Sequence, residues 1–249
     1  MKIVYLAIIV LLVVVGIYLN RSYAYIYNGI GNAGLRSPDI KHTYMITGVN
    51  KSKAAPILYL ALGDSLTAGV GAADFQQSYP YLVTEKLAAN GLVVTLKDFA
   101  ISGAKTSELI SDQLVNAIAS KPNVVTLLIG VNDIHGNVSK ATFERNYGEI
   151  LKQLNQNTSA KIYAISIPYI GSNTLFLPPY RLYFNHQTKE FNQVIKKLAA
   201  DYQAHYIDIY TPTVNLFMKS GPQYSVDSFH PSAEGYKLWA GIIYDSLSQ

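Results

Sequence analysis

A three-layer α/β/α sandwich around a mostly parallel five-stranded sheet is predicted, on three observations. Short apolar runs alternate along the chain with longer amphipathic segments. Several of the runs are apolar throughout, as strands covered on both faces are. Gly, Pro, Asn and Asp punctuate the junctions between the two kinds of segment. Residues 57–62, 93–99, 124–129, 162–167 and 205–209 read as the strands. Residues 79–89, 106–119, 141–155, 182–202 and 232–247 read as the helices between and after them. Helices that connect parallel strands must cover both faces of the sheet, which gives the sandwich.

One hydrophobic helix is expected before this domain. Residues 3–19 carry no charge and are rich in Val, Ile and Leu, with Lys2 before them and Arg21 after. At 1.5 Å per residue the run spans about 25 Å, slightly less than the ~30 Å hydrocarbon core of a bilayer. Tilt or local thinning absorbs that mismatch. Two readings compete, a retained anchor and a cleaved signal peptide with Gly31-Asn32-Ala33 as a small-residue site. Either one places the rest of the chain outside the cytoplasm, and the charges before the run favour an inside amino terminus. Tyr18, Tyr23, Tyr25 and Tyr27 suit an aromatic belt at the membrane interface. Residues 1–20 are therefore read as anchor or signal, 21–55 as a juxtamembrane spacer and 56–249 as the folded domain.

Composition narrows the function classes. The chain has 249 residues, enough for one α/β domain and an extension, and 49% of them are hydrophobic, enough for a full core. It contains no cysteine, which excludes a disulfide framework and any thiolate metal site. The net charge of +4 comes from scattered lysines without a basic block, so no nucleic-acid partner is expected.

The most informative segment is Leu58 to Gly71. An apolar run stops at Gly63-Asp64-Ser65, and an amphipathic pattern follows. A strand, a tight turn and a helix would put the Ser65 hydroxyl at the carboxyl end of a parallel strand, where open α/β sheets bind ligands. Serine needs a base within hydrogen-bond reach to become a nucleophile. Val226-Asp227-Ser228-Phe229-His230-Pro231 supplies one near the other end of the chain, His230, with Asp227 placed to orient its second ring nitrogen. Asp227 as a plain loop acid and His230 as a satisfied polar residue form the competing reading. Gly103 and Asn132 follow the second and third strands, where an ordinary turn explains each taken alone.

Together these residues resemble the GDSL, or SGNH, family of esterases and lipases. Gly63-Asp64-Ser65-Leu66 is similar to the nucleophile block, and Phe99-Ala100-Ile101-Ser102-Gly103-Ala104 to the second. Ile129-Gly130-Val131-Asn132-Asp133 and Asp227-Ser228-Phe229-His230 are similar to the third and fourth, in the family's order. The resemblance covers roughly residues 57–248 and implies a flavodoxin-like fold. It implies Ser65 as nucleophile, with Asp227 and His230 as the acid and base. It implies an oxyanion hole made by the Ser65 and Gly103 N–H groups and the Asn132 side chain. No cofactor is implied. Asp64, Asp133 and His135 raise the alternative of a metal, but their spacing fits no compact metal motif.

The expectation is a serine-dependent ester hydrolase acting on short-acyl esters or O-acetyl groups. The alternatives are a lysophospholipase or thioesterase for longer acyl chains and, in another class, a catalytically silent carbohydrate- or lipid-binding module. Residues 168–184, with three prolines and several aromatics, read either as a connection packed on itself or as a wall of the substrate pocket.

Overall fold

The computed structural model describes residues 2–38, 43–47 and 56–248. The chain opens with a single long helix, α1 (Lys2–Asn32), whose apolar residues 3–17 stand exposed. The helix continues well past the hydrophobic run. Residues 21–32 contain no proline, and nothing stops the helix before the Gly31–Gly34 stretch. Ser22 and Ile26 on its last turns are buried against the domain.

Strands β1 (Thr43–Thr47), β2 (Ile57–Gly63), β3 (Val93–Asp98), β4 (Val124–Leu128), β5 (Lys161–Ile165) and β6 (His205–Ile207) form one sheet in the order β1-β3-β2-β4-β5-β6. Every pairing from β3 to β6 is parallel, while β1 runs antiparallel to β3. The five expected strands are all present, and the parallel set has the doubly wound flavodoxin-like order. The sixth strand corrects the expected number. β1 lies inside the stretch read as a spacer, where five residues of mixed polarity gave no sustained pattern. Its Tyr44 stacks on Phe75 at 4.9 Å, so one residue secures this exposed edge strand to the core.

Burial follows position in the sheet. Central β2 reads Ile-Leu-Tyr-Leu-Ala-Leu-Gly and is buried from Tyr59 to Gly63. In β3, next to the edge, buried and half-buried residues alternate strictly. Helices α2 (Tyr79–Ala89), α3 (Thr106–Glu108), α4 (Leu114–Ala119), α5 (Val131–His135), α6 (Lys140–Asn157), α7 (Tyr180–Asp201), α8 (Tyr210–Phe217) and α9 (Ala233–Leu247) complete the fold. α2 packs on α9, and α6 packs on both α4 and α7. The segment expected as one helix over 106–119 is interrupted by a π-helical turn, Leu109–Gln113. That turn aims the buried Gln113 side chain at the end of β2, where its amide accepts from Gly63 N at 3.1 Å and donates to Gly63 O at 2.8 Å.

Crossing order determines where ligands bind. β2 connects outward to β3 on one side, and the chain then returns to β4 on the other. The carboxyl ends of β2, β3 and β4 therefore border the crevice at the topological switch point. After β4, Gly130 makes the turn with φ +130, a conformation closed to residues with a side chain. A Cβ there would lie 2.7 Å from Ile167 Cδ1 and 2.9 Å from Phe143 Cε2. Gly130→Ala is expected to cost about 1–3 kcal/mol of stability through backbone strain and overpacking. Urea unfolding measures this, and a loss under ~0.5 kcal/mol would show that the turn has more freedom than its geometry indicates.

Candidate active site

The nucleophile turn is built by Asp64. Its carbonyl accepts from Thr67 N at 3.1 Å and Ala68 N at 2.9 Å, and its Oδ1 accepts from Leu66 N at 3.0 Å. These bonds fold the chain back sharply after β2, while Gln113 fixes the preceding residue. Ser65 is left at the crest. Burial raises the Asp64 carboxyl to about 7, against the Leu66 N–H and with some help from the charge of Asp133. Asp64 thus supports the turn, and its environment disfavours a full charge beside the nucleophile.

The residue expected as the base, His230, arrives from the loop before α9. His230 Nε2 lies 3.0 Å from Ser65 Oγ, and His230 Nδ1 lies 2.5 Å from Asp227 Oδ2. Asp227 Oδ1 accepts from the Phe229 and His230 N–H groups, each at 2.9 Å. A carboxylate that accepts from Nδ1–H leaves Nε2 as an acceptor for the serine proton. Burial works against charge on Asp227, yet the His230 ring and the two backbone N–H groups hold its carboxyl below the usual range. Ser228 stands between the two with φ +56, and Ser232 caps α9 by accepting from Gly235 N. Ser232 is thus the N-cap of α9, with Pro231 just ahead of it.

The residues expected as oxyanion donors, Gly103 and Asn132, stand at the other two strand ends. Gly103 follows β3 with φ +84, and a Cβ on it would meet nothing within 4 Å. Glycine is required there by backbone conformation and not by crowding. Among the described residues, the N–H groups of Ser65 and Gly103 donate to no protein acceptor. The Asn132 amide donates to Ala104 O at 3.0 Å, which orients the side chain and leaves its second N–H. Asp133 accepts from Thr106 N at 2.9 Å and Thr106 Oγ1 at 2.6 Å. Residues 104–106 are thus bonded to residues 132–133, and the two donor loops form one unit.

Ser65, Gly103, Asn132 and His230 line a single cavity of about 360 Å³. Four lining residues were absent from the expectation: Tyr27 and Ile30 of α1, with Leu35 and Ser37 just after it. Ser37 Oγ lies 2.5 Å from Ser102 Oγ, beside the glycine donor. A signal was available in the four-residue spacing of Leu19, Tyr23 and Tyr27, which an aromatic-belt reading absorbed. Tyr23 and Tyr27 face the domain. Tyr18 and Tyr25 stay exposed, and their hydroxyls donate to Pro178 O at 2.7 Å and Thr174 O at 3.5 Å.

The three residues weighed as a metal set are used separately. Asp64 closes its own turn, Asp133 holds Thr106, and His135 Nδ1 lies 3.0 Å from the Tyr27 hydroxyl. The His135 ring sits among Phe176, Phe184 and Phe229 at 4.6–5.8 Å. His186 is exposed on α7, and His205 opens β6 as expected. In the loop 168–184 both readings hold in part. Leu175 and Phe176 are core, whereas Pro179, Tyr180 and Phe184 face a cavity.

Burial lowers the His135 imidazole from 6.5 to about 4. The unfolded chain therefore takes up this proton at higher pH than the native protein does, and stability falls with pH between those values. His135→Phe should flatten that part of the pH–stability curve, whatever its effect on stability at neutral pH. Chemical unfolding at pH 7, 6, 5 and 4 provides the comparison, and parallel curves for the two proteins would contradict the assignment.

Comparison with known proteins agrees with this geometry. The GDSL-like lipase/acylhydrolase family model matches residues 61–238, which is most of the chain and includes all four blocks. A spore germination lipase, LipC of Bacillus licheniformis, is 26% identical over 198 residues, covering 72% of this chain and 91% of that one. The fold is similar to that of an acetylxylan esterase of Geobacillus stearothermophilus, with TM-score 0.62 at 18% identity, covering 82% of this chain and 97% of that one. It is also similar to a phospholipase A1 of Streptomyces albidoflavus, with TM-score 0.60 at 24% identity, covering 77% of this chain and 100% of that one. With the family's four blocks in its sequence, its fold and a serine bonded to a histidine at the sheet's switch point, the chain belongs to the GDSL-like lipase/acylhydrolase family and is a carboxylic ester hydrolase.

Proposed function

We propose that the enzyme hydrolyses carboxylic esters through an acyl-Ser65 intermediate, at the outer face of a membrane that α1 spans. The observation that carries the chemistry is the Asp227–His230–Ser65 hydrogen-bonded chain at the edge where β2, β3 and β4 end. Ser65 Oγ attacks the ester carbonyl carbon while His230 Nε2 takes its proton. The carbonyl oxygen becomes an oxyanion and receives the Ser65 N–H, the Gly103 N–H and the second Asn132 N–H. Collapse expels the alcohol, protonated by His230, and leaves the acyl group on Ser65. Water then attacks the acyl carbonyl, giving its proton to the same imidazole, and the acid leaves.

The exposed apolar residues 3–17 support the membrane reading, since a surface that large is unfavourable in water. α1 is helical through Asn32, and the buried Ser22 and Ile26 favour an anchor kept by the mature protein over a cleaved signal. Of the two substrate classes raised by the sequence, the geometry favours longer acyl groups over acetyl. A second cavity of about 460 Å³ adjoins the catalytic one, lined mainly by Leu, Pro, Tyr and Phe side chains. An acetyl group would leave that space unused. The name of the Bacillus lipase points the same way.

Ser65→Ala should abolish hydrolysis of p-nitrophenyl esters and reaction with fluorophosphonates while leaving thermal unfolding nearly unchanged. Wild-type turnover in that variant would end the assignment. Asn132→Ala removes one oxyanion donor, and such donors contribute on the order of 10²–10³ in rate. Its kcat should fall by that factor with little change in KM. Steady-state kinetics separate the two, and an effect confined to KM would make Asn132 a ground-state substrate contact instead.

A further inference from the structure

We infer that the acyl chain of the substrate lies along α1, in the cavity between that helix and the start of α7. The anchoring helix then forms one wall of the active site, and lipid esters enter from the bilayer side. The inference rests on the ester-hydrolase reading and adds to it the path taken by the acyl group.

Four observations carry it. First, the two cavities adjoin, with Tyr27 and His135 lining both, so the hydrogen-bonded Tyr27–His135 pair is the partition an acyl chain would pass. Second, α1 contributes Leu19, Tyr23 and Tyr27 to the lining of the second cavity, facing Tyr180 and Phe184 of α7. Residues four apart share one helix face, so these three form a strip about 12 Å long that leads away from the catalytic cavity. Third, the strip ends at Leu19, where the exposed apolar part of α1 begins. The inner end of the groove is at the nucleophile, and its outer end is at the segment suited to hydrocarbon. Fourth, α1 is fastened along this length. The Tyr180 hydroxyl donates to Leu19 O at 3.2 Å, Tyr23 packs on Tyr180 with ring centroids 5.7 Å apart, and Tyr27 reaches His135.

The chemistry of the lining selects the occupant. Aromatic and aliphatic walls without a charged side chain suit a hydrocarbon, which gains about fourfold in affinity for each methylene removed from water. A glycan would need free polar partners along the strip, and those present are paired within the protein: Tyr180 with Leu19 O, Tyr183 with Asn137 and Tyr27 with His135. The exposed apolar helix beside the outer end makes a membrane lipid the source of that chain. An anchor in this position would raise the local concentration of its own substrate and spare an extracted acyl chain from crossing water.

The test uses the full-length chain in phosphatidylcholine vesicles with two fluorophosphonates. One carries an ethyl group and the other a decyl chain ending in a photoreactive diazirine. Both should label Ser65, and irradiation of the second adduct should cross-link within residues 19–27 or 180–184. Labelled Ser65 with cross-links elsewhere would overturn the acyl path and leave the hydrolase reading standing. Absence of label on Ser65 with either probe would overturn both. Kinetics supply a second measurement. Leu19→Trp, which narrows the outer end, should lower the decanoate-to-acetate ratio of kcat/KM at least tenfold. An unaltered ratio in a variant that unfolds at the wild-type temperature would also overturn the inference.

Discussion

The hydrogen bond from Ser65 to His230 joins the two ends of the domain, and the rest of the site is arranged to allow it. Ser65 follows the first parallel strand, and His230 precedes the last helix. Neither has the chemistry alone, because a serine at its ordinary pKa is a poor nucleophile and a lone imidazole has nothing to activate. The 3.0 Å contact demands that β2 and the loop before α9 be held to within a few tenths of an ångström. Three devices secure that. Gln113 grips Gly63 from both sides, Asp64 ties the turn, and the Tyr236 hydroxyl of α9 donates to Val70 O at 2.7 Å. The last bond links the helix that follows the base to the loop that follows the nucleophile.

The site also separates two kinds of carboxyl. Asp64 is fully enclosed, and burial outweighs its single backbone donor, so its proton affinity rises. Asp227 is also largely enclosed, but it accepts three N–H groups, one of them from the His230 ring, and its affinity falls. The same residue type therefore performs opposite tasks under one rule, that the number and charge of donors decide whether a buried acid keeps its proton. In the proposed mechanism a charged Asp227 would stabilise the imidazolium that forms during attack. Burial disfavours the charge on Asp64 and so weakens the negative field it would place beside Ser65.

How much of this was legible in the sequence depended on the range of the signal. β2, β4 and β5 are continuous apolar runs, and their positions could be read to within a residue or two. Ser65, Gly103, Asn132, Asp227 and His230 could be read because each sits in a short block whose spacing carries the chemistry. β1 could not, since an edge strand half open to solvent has no required alternation and its pairing depends on β3, far along the chain. The small helices α5 and α8 escaped for a related reason, being set by the turns that precede them. The bond between Thr106 and Asp133 had no local signature at all. It is a tertiary fact between two loops, and it explains why an aspartate follows Asn132 better than any metal does.

The part of the chain least readable from pattern is the part that most shapes the pocket. Hydropathy marks residues 3–19 as long and apolar enough to cross a membrane and then falls silent, because a helix with one apolar face on a protein and another facing outward has no single period to detect. The turns beyond it, with their tyrosines, have a composition equally suited to an interface belt. Tyrosine serves both purposes, with a ring face for packing and a hydroxyl for water or a carbonyl. In this fold the choice is made by the partner surface. The aromatic start of α7 and the ring of His135 meet the rings of Tyr23 and Tyr27, while Tyr18 and Tyr25 reach the loop before α7 through their hydroxyls. The helix that carries the exposed apolar segment is thereby also fitted to the cavity at Ser65. If α1 spans a bilayer as proposed, two turns of helix and not a flexible tether would set the distance from that bilayer to Ser65, and substrate choice and membrane attachment would become a single structural property.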